Sequence, residues 1–330
     1  MERKYSNAPQ LSSGMAFCAG CGIPLVLNPV LQAAHDVGVI PVVNVGSGCG
    51  VVGLHIYPHS GMKDPMIHIV FETSAAGGSG VRAAINAQVK AGKIPEGTFY
   101  PLVFSGDGST TDIGIASLSG MLARGEKVFY VCYDNAFYAN TGCQYSSMTP
   151  DGAHTTTTPH GSMPTDSYGG KDMIALARAH PAVRYIAMTT ISTRWNHDIR
   201  EKARAGFTAG GPAYMHVIQP CPRGWGVHSS STVEIADTGI DCGVIPLLHI
   251  VREGEPGGYD HNLYLDFIPE RYEGGILHPE VHPVTEWYEA QGRFKFVAND
   301  KEWLAKMQRT TDHKWLGKHG LILSAEAYGK

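Results

Sequence analysis

Two short segments carry residue types that bind a phosphate group and a hard metal ion. Gly106-Asp107-Gly108 lies between a predicted strand and a predicted helix, and Asn135 follows the next predicted strand, 28 residues after Asp107. Glycine lets the backbone approach a phosphate, and a helix N-terminus presents free N–H groups to it. Mg²⁺ prefers oxygen ligands such as a carboxylate. Because neighbouring parallel strands bring their ends together, the two segments predict one shared phosphate and magnesium site, although Gly-Asp-Gly alone is also common in turns.

Four of the seven cysteines are candidates for a second metal site. Cys18 and Cys21 form a Cys-x-x-Cys in a glycine-containing turn, and Cys49 and Cys221 each follow a predicted strand directly. Strand ends gather at one edge of a parallel sheet, so the four thiolates could converge there, and four cysteines are what a [4Fe–4S] cluster requires. A zinc half-site or a redox pair would also use Cys-x-x-Cys. However, no second such motif occurs, and no strand precedes this one.

The other three cysteines have simpler interpretations. Cys132 lies inside a predicted strand, where a cysteine behaves as a small buried hydrophobic residue. Cys242 is interpreted as structural. Cys143 lies in a long loop after Asn135 and is expected to be a neighbour of the active site without a chemical role.

Apolar, β-branched runs alternate with helical stretches, which predicts a doubly wound, mostly parallel α/β sheet with binding loops at the carboxyl ends of its strands. The runs are continuously apolar, as in strands that are buried on both faces. The predicted strands are Ile40–Val45, Ile67–Phe71, Tyr100–Phe104, Val128–Tyr133, Tyr185–Thr189 and Tyr214–Ile218. The predicted helices are Pro24–His35, Ala75–Ala91, Thr111–Ala123, Lys171–His180 and Arg194–Thr208.

Two regions depart from this alternation. Residues 140–168 form a long polar stretch without periodicity, which is typical of a functional loop. Residues from about 246 onward contain short aromatic segments such as Tyr259–Phe267 and Trp287–Phe296. We therefore predict a cofactor-binding α/β domain over residues 1–245 and a C-terminal extension over residues 246–330 that contacts partner subunits.

Composition excludes several classes of function. The 330 residues include 26 Lys and Arg against 30 Asp and Glu, a net charge of −4, with no basic run that would bind nucleic acid or an anionic membrane. No apolar stretch is long enough for a transmembrane helix, and the N-terminus does not resemble a signal peptide. An odd number of unevenly spread cysteines indicates thiolates in a reducing cytoplasm and not a disulfide framework.

The spacing of Asp107 and Asn135 resembles the thiamine diphosphate fingerprint, a Gly-Asp-Gly followed some 30 residues later by Asn. With the cysteines, it is similar to the beta subunit of the 2-oxoacid:ferredoxin oxidoreductases, such as pyruvate:ferredoxin oxidoreductase. The likeness covers most of residues 15–225 and includes the segment Tyr138–Pro150, YANTGCQYSSMTP, which matches the family's Tyr-Ser-Asn-Thr-Gly-x-Gln-x-Ser-x-x-Thr-Pro. A weaker likeness covers Glu286–Phe294, which ends in Gln-Gly-Arg-Phe.

The resemblance implies a role for each matching residue. Asp107, Asn135 and the carbonyl of Phe137 would hold Mg²⁺, and Asn140 would be the catalytic residue that faces the thiazolium and the substrate. The residues implied to contact the thiamine diphosphate are Gly48, Gly106, Asp107, Gly108, Ser109, Asn135, Phe137 and Thr141. The ligands implied for the [4Fe–4S] cluster are Cys18, Cys21, Cys49 and Cys221.

The implied reaction is the thiamine-dependent oxidative decarboxylation of a 2-oxoacid in anaerobic metabolism, with electrons passed through the cluster to ferredoxin and coenzyme A usually taking the acyl group. Pyruvate is the favoured substrate, with oxalate or phenylglyoxylate as alternatives. An alpha subunit would supply the pyrimidine-binding domain and its glutamate, with Glu72 as a less favoured source. Gamma and delta subunits would complete the complex, since the family's ferredoxin-like insert is absent from this sequence.

Two other functions use parts of the same pattern. A non-redox thiamine decarboxylase or carboligase would use Asp107 and Asn135 but not the four cysteines, and a structural subunit could bind zinc through its Cys-x-x-Cys. Most of the histidines are expected to be structural, with His154 and His160 the exceptions to test. Trp225, beside Cys221, is expected to shield the cluster.

Overall fold

A computed structural model describes residues 9–56, 59–161, 170–252 and 262–328. In these residues the chain forms one large sheet, a two-stranded ribbon and helices on both sheet faces. The strands are β1 (Ile40–Gly46), β2 (His55–Ile56), β3 (His59–Ser60), β4 (Met66–Ile69), β5 (Phe99–Gly106), β6 (Phe129–Asp134), β7 (Tyr185–Thr190), β8 (Ala213–Ile218), β9 (Leu248–Val251) and β10 (Asn262–Leu265).

The helices range from one turn to nearly five. They are α1 (Ile23–Asp36), α2 (Cys49–Leu54), α3 (Ser74–Lys90), α4 (Ile115–Ala123), α5 (Met173–Arg178), α6 (Asp198–Thr208), α7 (Pro222–Trp225), α8 (Thr232–Asp241), α9 (Val284–Glu289), α10 (Lys301–Leu316) and α11 (Leu321–Tyr328). Short 3₁₀ turns occur at Phe71–Thr73, Ser229–Ser231, Glu270–Gly275 and Gly292–Phe294, and a π-helical segment spans Gly108–Ile113. No helix in the described ranges is long and apolar enough to cross a membrane.

The large sheet has the order β10-β9-β7-β8-β6-β5-β1-β4. All neighbours from β7 to β4 are parallel, whereas β9 pairs antiparallel with β7 and β10 antiparallel with β9. One buried core packs α1 and α6 against one face, and a second packs α4 and α5 against the other. Every residue of β6 is buried, as expected for a central strand covered on both faces. The predicted doubly wound, mostly parallel α/β fold is therefore confirmed.

The six predicted strands are all present, with ends that move by one or two residues. Three details differ from the prediction. The helix predicted as Arg194–Thr208 begins at Asp198. The strand predicted as Ile67–Phe71 ends at Ile69, and Phe71 begins a 3₁₀ turn. The α-helix predicted as Thr111–Ala123 begins at Ile115, and the first residues of the predicted range belong to the π-helical segment, which leaves little room at Gly114. A Cβ there would lie 2.1 Å from the carbonyl oxygen of Ser109.

Residues beyond 246 pack on the rest of the described chain. β9 and β10 widen the sheet at the β7 edge, and α11 packs against β10. The indole N–H of Trp315 in α10 donates to the carbonyl of Gly243 at 2.8 Å. Residues 253–261, which include the start of the predicted segment Tyr259–Phe267, lie outside the described residues. The division into a domain of residues 1–245 and an extension stays a prediction.

Candidate active site

A cavity of about 230 Å³ opens where β1, β5 and β6 end, the edge at which parallel sheets bind ligands. Every residue predicted to contact cofactor or substrate lines it, in three loops that are far apart in sequence. The cavity is lined by Ser47, Gly48, Cys49, Phe71, Gly106, Asp107, Gly108, Ser109, Tyr133, Asn135, Phe137, Tyr138, Ala139, Asn140 and Thr141. The strand order explains this placement, since β5 lies between β1 and β6.

Two buried oxygens at this cavity have no hydrogen-bond partner among the described residues. Asp107 is 1% exposed, and its Oδ2 accepts a hydrogen bond from Ser146 Oγ at 2.5 Å, whereas its Oδ1 has no partner. Asn135 Oδ1 is also buried and unpartnered. The Phe137 carbonyl accepts no hydrogen bond from the described residues. Unpaired buried acceptors are costly, and a hard cation would satisfy all three, so this donor set fits Mg²⁺.

The surroundings of the Asp107 carboxyl raise its pKa. Burial raises its pKa well above the usual range, and the negative charge of Asp134 raises it further. A divalent cation at Oδ1 would have the opposite effect, because it stabilises the carboxylate. Binding of such a cation would therefore be coupled to release of a proton from Asp107.

The loop that carries Asn135 is held by its backbone groups. The N–H of Ala136, a residue in the left-handed region at φ 65°, donates to Asp134 Oδ1 at 2.7 Å. The carbonyl of Asn135 accepts from Trp225 Nε1 at 2.8 Å, and the carbonyl of Ala136 accepts from Thr149 Oγ1 at 2.7 Å. These bonds fix the direction of the Asn135 side chain, so Trp225 positions this loop, a role that the sequence did not suggest.

A buried chain of hydrogen-bonded side chains holds Asp134 in place. His216 Nε2 lies 2.9 Å from Asp134 Oδ2, and His216 Nδ1 lies 2.8 Å from the Tyr214 hydroxyl. The roles of Asp134, His216 and Tyr214, and those of Ser146 and Thr149, were not predicted from the sequence. The signal for the last two was their place in the family-like segment, and the signal for Asp134 was its place at the strand end beside Asn135.

Ser109 and Thr141, both predicted to contact the cofactor, have side-chain hydroxyls that bond to other groups of the protein. The Ser109 hydroxyl points inward, where it bonds with Ser105 Oγ at 2.7 Å, with Ser74 Oγ at 3.1 Å and with the carbonyl of Phe71. Its backbone N–H, in the first turn of a helical segment, is the group left for a phosphate. Thr141 Oγ1 donates to Gln144 Oε1 at 2.5 Å.

Asn140 lies at the tip of a tight turn beside Thr141 and is exposed at the cavity mouth. The turn is closed by the N–H of Tyr138, which donates to the Gln144 carbonyl at 3.0 Å. The Tyr138 hydroxyl donates to Asp112 Oδ2 at 3.0 Å and ties the turn to the π-helical segment. Asn140 is therefore held on a braced turn over the cavity.

Gly108→Ala is expected to destabilise the protein, because a Cβ at Gly108 would lie 2.5 Å from the ring of Tyr138. Overpacking of this kind typically costs about 1–3 kcal/mol. Gly80→Ala is the matched control, since that exposed position in α3 has no atom within 4 Å of the added methyl group. Gly80→Ala should raise stability by roughly 0.5–1 kcal/mol. Urea unfolding measures both, and equal stabilities for the two variants would contradict the contact.

The Cys-x-x-Cys turn lies between the other two cysteine loops. On one side, the N–H of Ala16 donates at 2.9 Å to the carbonyl of Gly53 in α2, the helix that begins at Cys49. On the other side, Gly22 packs so closely on Gln219, two residues before Cys221, that a Cβ would lie 2.7 Å from its Cγ. The fold thus brings the loops of all four predicted cysteines to one side of the cavity.

The four thiols influence one another electrostatically. Burial raises the pKa of Cys21 to about 12, and charges on Cys221, Cys49 and Cys18 act in the same direction. Among the described residues, no three His, Cys, Asp or Glu side chains meet closely enough to hold a single ion. In a [4Fe–4S] cluster each thiolate binds a different iron, so its ligands lie farther apart than those of one zinc ion. The mutual electrostatic influence of Cys18, Cys21, Cys49 and Cys221 places their thiols in one region of the protein.

The pKa of Cys221 shifts in the opposite direction to that of Cys21. A hydrogen bond with Cys143 lowers the pKa of Cys221 below the usual range of a thiol against the effect of burial, with help from the N–H groups of Gly224 and Arg223 and the charge of Arg293. The same bond raises the pKa of Cys143. Cys143, expected to be a mere neighbour, thus contacts a predicted cluster ligand. Cys132 and Cys242 are fully buried in apolar clusters, as predicted.

In iron-free protein, Cys221 should be the thiol alkylated first at neutral pH, because the thiolate is the reactive form. The labelling rate of Cys221 with iodoacetamide should rise through a midpoint below the pH at which an ordinary thiol titrates, whereas Cys21 and Cys49, with pKa values raised to about 12, should stay unlabelled up to pH 9. Mass spectrometry of the labelled peptides measures this. Cys143→Ala should move the midpoint upward, and an unmoved midpoint would contradict the hydrogen bond.

Three residues singled out in the sequence lie away from the cavity lining. His154 meets the ring of Phe296 edge-on and His160 meets it at a tilt, with ring centroids 5.8 and 6.3 Å from it. Glu72 is exposed in the 3₁₀ turn and does not line the cavity, whereas its neighbour Phe71 does. Within the described chain these three side chains do not reach the Asp107 region, and nothing in the geometry gives them a catalytic role.

Comparison with known proteins identifies the same region. Residues 46–217, more than half of the chain, match the family model of the thiamine pyrophosphate enzyme C-terminal TPP binding domain. Pyruvate synthase subunit PorB of Thermotoga maritima is 37% identical over 310 residues, which cover 92% of this chain and 90% of that protein. Ketoisovalerate oxidoreductase subunit VorB of Pyrococcus abyssi is 33% identical over 306 residues, with coverages of 92% and 90%.

A solved structure shows the same fold. A chain of the 2-oxoglutarate:ferredoxin oxidoreductase from Magnetococcus marinus superposes with a TM-score of 0.55 at 21% identity, and the match covers 67% of this chain and 70% of that one. At this identity the likeness supports the α/β architecture and the strand order, and it carries no information about the substrate.

Proposed function

The chain belongs to the beta-subunit family of the 2-oxoacid:ferredoxin oxidoreductases, and we propose that it holds thiamine diphosphate, Mg²⁺ and a [4Fe–4S] cluster at one edge of its sheet. The observation that carries the proposal is the pair of buried, unpartnered oxygens, Asp107 Oδ1 and Asn135 Oδ1, in a cavity that Cys49 also lines. A cation would satisfy the unpartnered carboxylate and amide oxygens, and Cys49 would place a cluster ligand beside them.

The residues of this chain divide the binding of the cofactor between them. Asp107, Asn135 and the Phe137 carbonyl would hold Mg²⁺ on the diphosphate, and the backbone at Gly106 and Gly108 would surround the phosphate oxygens. Bound thiamine diphosphate supplies a carbanion nucleophile and an electron sink for the decarboxylation of a 2-oxoacid. The protein contributes orientation, since the bonds from Asp134, Trp225 and Thr149 hold the loop rigid.

Cys49 connects the two proposed cofactor sites. It begins α2, lines the cavity and experiences the charges of Cys221, Cys18 and Asp107. A cluster bound by this cysteine lies against the thiamine site, so electrons released in the decarboxylation travel a short distance on their way to ferredoxin. Asn140 at the cavity mouth is the residue of this chain placed to orient the 2-oxoacid.

Pyruvate is the proposed substrate, because several of the similar proteins are named as pyruvate synthase subunits. A branched-chain 2-oxoacid is the nearest alternative, in line with the ketoisovalerate relative. We propose that coenzyme A takes the acyl group, that ferredoxin takes the electrons and that the complex operates in the cytoplasm.

The cavity lacks a second acid of its own. Among the described lining residues Asp107 is the sole carboxylate, and Glu72 lies outside the lining. We propose that an alpha subunit supplies the pyrimidine-binding domain and its glutamate, with gamma and delta subunits completing the assembly. Exposed apolar side chains near this edge, Val70 at 60% and Ile113 at 56%, suit such an interface.

The proposal is tested by 2-oxoacid-dependent reduction of ferredoxin. The chain is purified anaerobically with its partner subunits and supplied with thiamine diphosphate, Mg²⁺ and coenzyme A, and pyruvate and 2-oxoisovalerate are compared. Ferredoxin reduction that requires both the 2-oxoacid and this chain is the expected result. Release of CO₂ without ferredoxin reduction would favour the non-redox carboligase.

A further inference from the structure

The charges of the two most deeply buried arginines among the described residues are compensated very differently. Arg271 and Arg293 are each 2% exposed. Arg271 Nε lies 3.1 Å from Asp312 Oδ1, and its Nη1 donates to the carbonyl of Pro279 at 2.6 Å. Arg293 forms no ion pair with any described residue; its Nε donates to the neutral Gln291 Oε1 at 2.8 Å, and its Nη1 is buried with no partner among the described residues. The negative charge of Asp134 acts on Arg293 through space but forms no ion pair with it, so the buried Nη1 is left without an anionic partner among the described residues.

Aromatic rings surround the Arg293 guanidinium. Its Cζ lies 3.7 Å from the ring centroid of Trp225, 4.9 Å from that of Phe294 and 5.5 Å from that of Trp287. Stacking on these rings reduces the cost of burial and fixes the position of the guanidinium. It does not neutralise the charge. Burial lowers the pKa of Arg293 to about 9, so the side chain stays protonated at neutral pH.

Two negative centres act on Arg293 through space, the Asp134 carboxylate and the Cys221 thiolate, and Cys221 is the one predicted to bind the cluster. Cys221 is the residue before α7, and the N–H of Trp225, the residue on which Arg293 stacks, donates to the Cys221 carbonyl at 2.8 Å. Cys221, Cys143 and Trp225 belong to the same buried cluster as Phe294. The charge of Arg293 acts on the Cys221 thiolate, as do the N–H groups of α7. The Arg293 guanidinium therefore packs on the segment that carries Cys221, one of the predicted cluster ligands.

We propose that Arg293 is the fixed counter-cation of the [4Fe–4S] cluster and stabilises its reduced state. The inference rests on the proposed function, because it requires a cluster bound through Cys221. A cluster with four thiolate ligands carries net negative charge, and this charge grows by one on reduction. A buried cation close by lowers the free energy of the reduced form more than that of the oxidised form. Arg293 is thus a positioning and tuning residue, not a catalytic one.

The test is a redox titration of the anaerobically purified full-length chain, followed by the absorbance of the cluster. Arg293→Met and Arg293→Gln remove the charge, and Arg293→Lys keeps it. At the midpoint potential of the wild type, the ratio of reduced to oxidised cluster should fall about tenfold in either neutral variant, which is 59 mV for a one-electron couple. In Arg293→Lys the ratio should stay within about twofold of the wild type.

Arg271→Met is the matched control, since Arg271 is equally buried but paired with Asp312. It should lower stability without moving the potential. An unchanged potential in a neutral Arg293 variant that retains its iron would overturn the inference. A fall in Mg²⁺-dependent thiamine diphosphate affinity with an unchanged potential would assign Arg293 to the Asn135 loop instead, which also overturns it. Absence of iron from the wild type would contradict the proposed function itself, so the two failures are distinguishable.

Discussion

Cys49→Ser should abolish the cluster while it leaves the thiamine site in place. Iron should fall from about four per chain to less than about one, and the brown colour should disappear, because a cluster that loses one of its four thiolate ligands is not retained. Serine is nearly the same size as cysteine, so the cavity that Cys49 lines keeps its shape. The affinity for thiamine diphosphate should therefore change by less than about threefold, within the context dependence of single interactions.

Cys132→Ala provides the control for this experiment. Cys132 is fully buried in β6 and packs in an apolar cluster on the opposite face of the sheet from Cys49. Its removal should leave iron and sulfide at the wild-type level. Full iron content in Cys49→Ser, measured on anaerobically purified protein, would exclude Cys49 as a ligand and remove the link between the two cofactor sites.

Asp107→Asn should give the second large effect, with loss of Mg²⁺ and thiamine diphosphate binding. Removal of an outer-shell partner of a metal already costs about 10- to 100-fold in affinity, so the loss of a direct carboxylate ligand should cost at least about 100-fold. The variant also removes a buried ionisable group whose pKa is raised, so the apo protein should be no less stable than the wild type. Calorimetric titration with thiamine diphosphate and Mg²⁺ measures the affinity, and urea unfolding measures the stability.

Asp237→Asn is the control for Asp107→Asn. Asp237 in α8 also accepts hydrogen bonds from hydroxyl groups, including Thr193 Oγ1 at 2.7 Å, but it does not line the cavity. Its substitution should leave the affinity for thiamine diphosphate unchanged. Equal affinities for Asp107→Asn and the wild type would show that Asp107 Oδ1 is not a metal ligand.

The central strands could be predicted because each is a continuous apolar run bounded by turn residues. β6 and β8 are buried along almost their whole length, and their largely apolar composition predicts this burial. β9 and β10 were not predicted as strands, since each has four residues and gains its structure from pairing at the edge of β7. Local sequence does not encode such pairing.

The main site residues could be predicted because they follow strands. Asp107 and Asn135 stand where β5 and β6 end, and adjacent parallel strands must bring such positions together. The supporting residues could not be found in the same way. His216 lies near Asp134 only through the register of β6 and β8, and Arg293 reaches Trp225 from a separate segment of the chain. Their roles depend on tertiary contacts that spacing does not reveal.

The alternatives left open by the sequence differ in what they require of the cysteines. A zinc-binding structural subunit needs ligands that converge on one ion, and zinc content measured beside iron and sulfide distinguishes it from the redox enzyme. A non-redox carboligase needs no cysteines at all, whereas the turn with Cys18 and Cys21 is fastened between the loops of Cys49 and Cys221. The arrangement of these loops favours the redox enzyme.

The most direct test of the central claim, that one chain holds both cofactor sites, is an anaerobic analysis of the wild-type protein. Iron, sulfide and zinc are determined together with an absorption spectrum and the Mg²⁺-dependent binding of added thiamine diphosphate. We predict about four irons and four sulfides per chain, a broad band near ~400 nm that dithionite bleaches, and saturable thiamine diphosphate binding. Thiamine diphosphate binding without iron or sulfide would contradict the cluster and leave a non-redox thiamine enzyme.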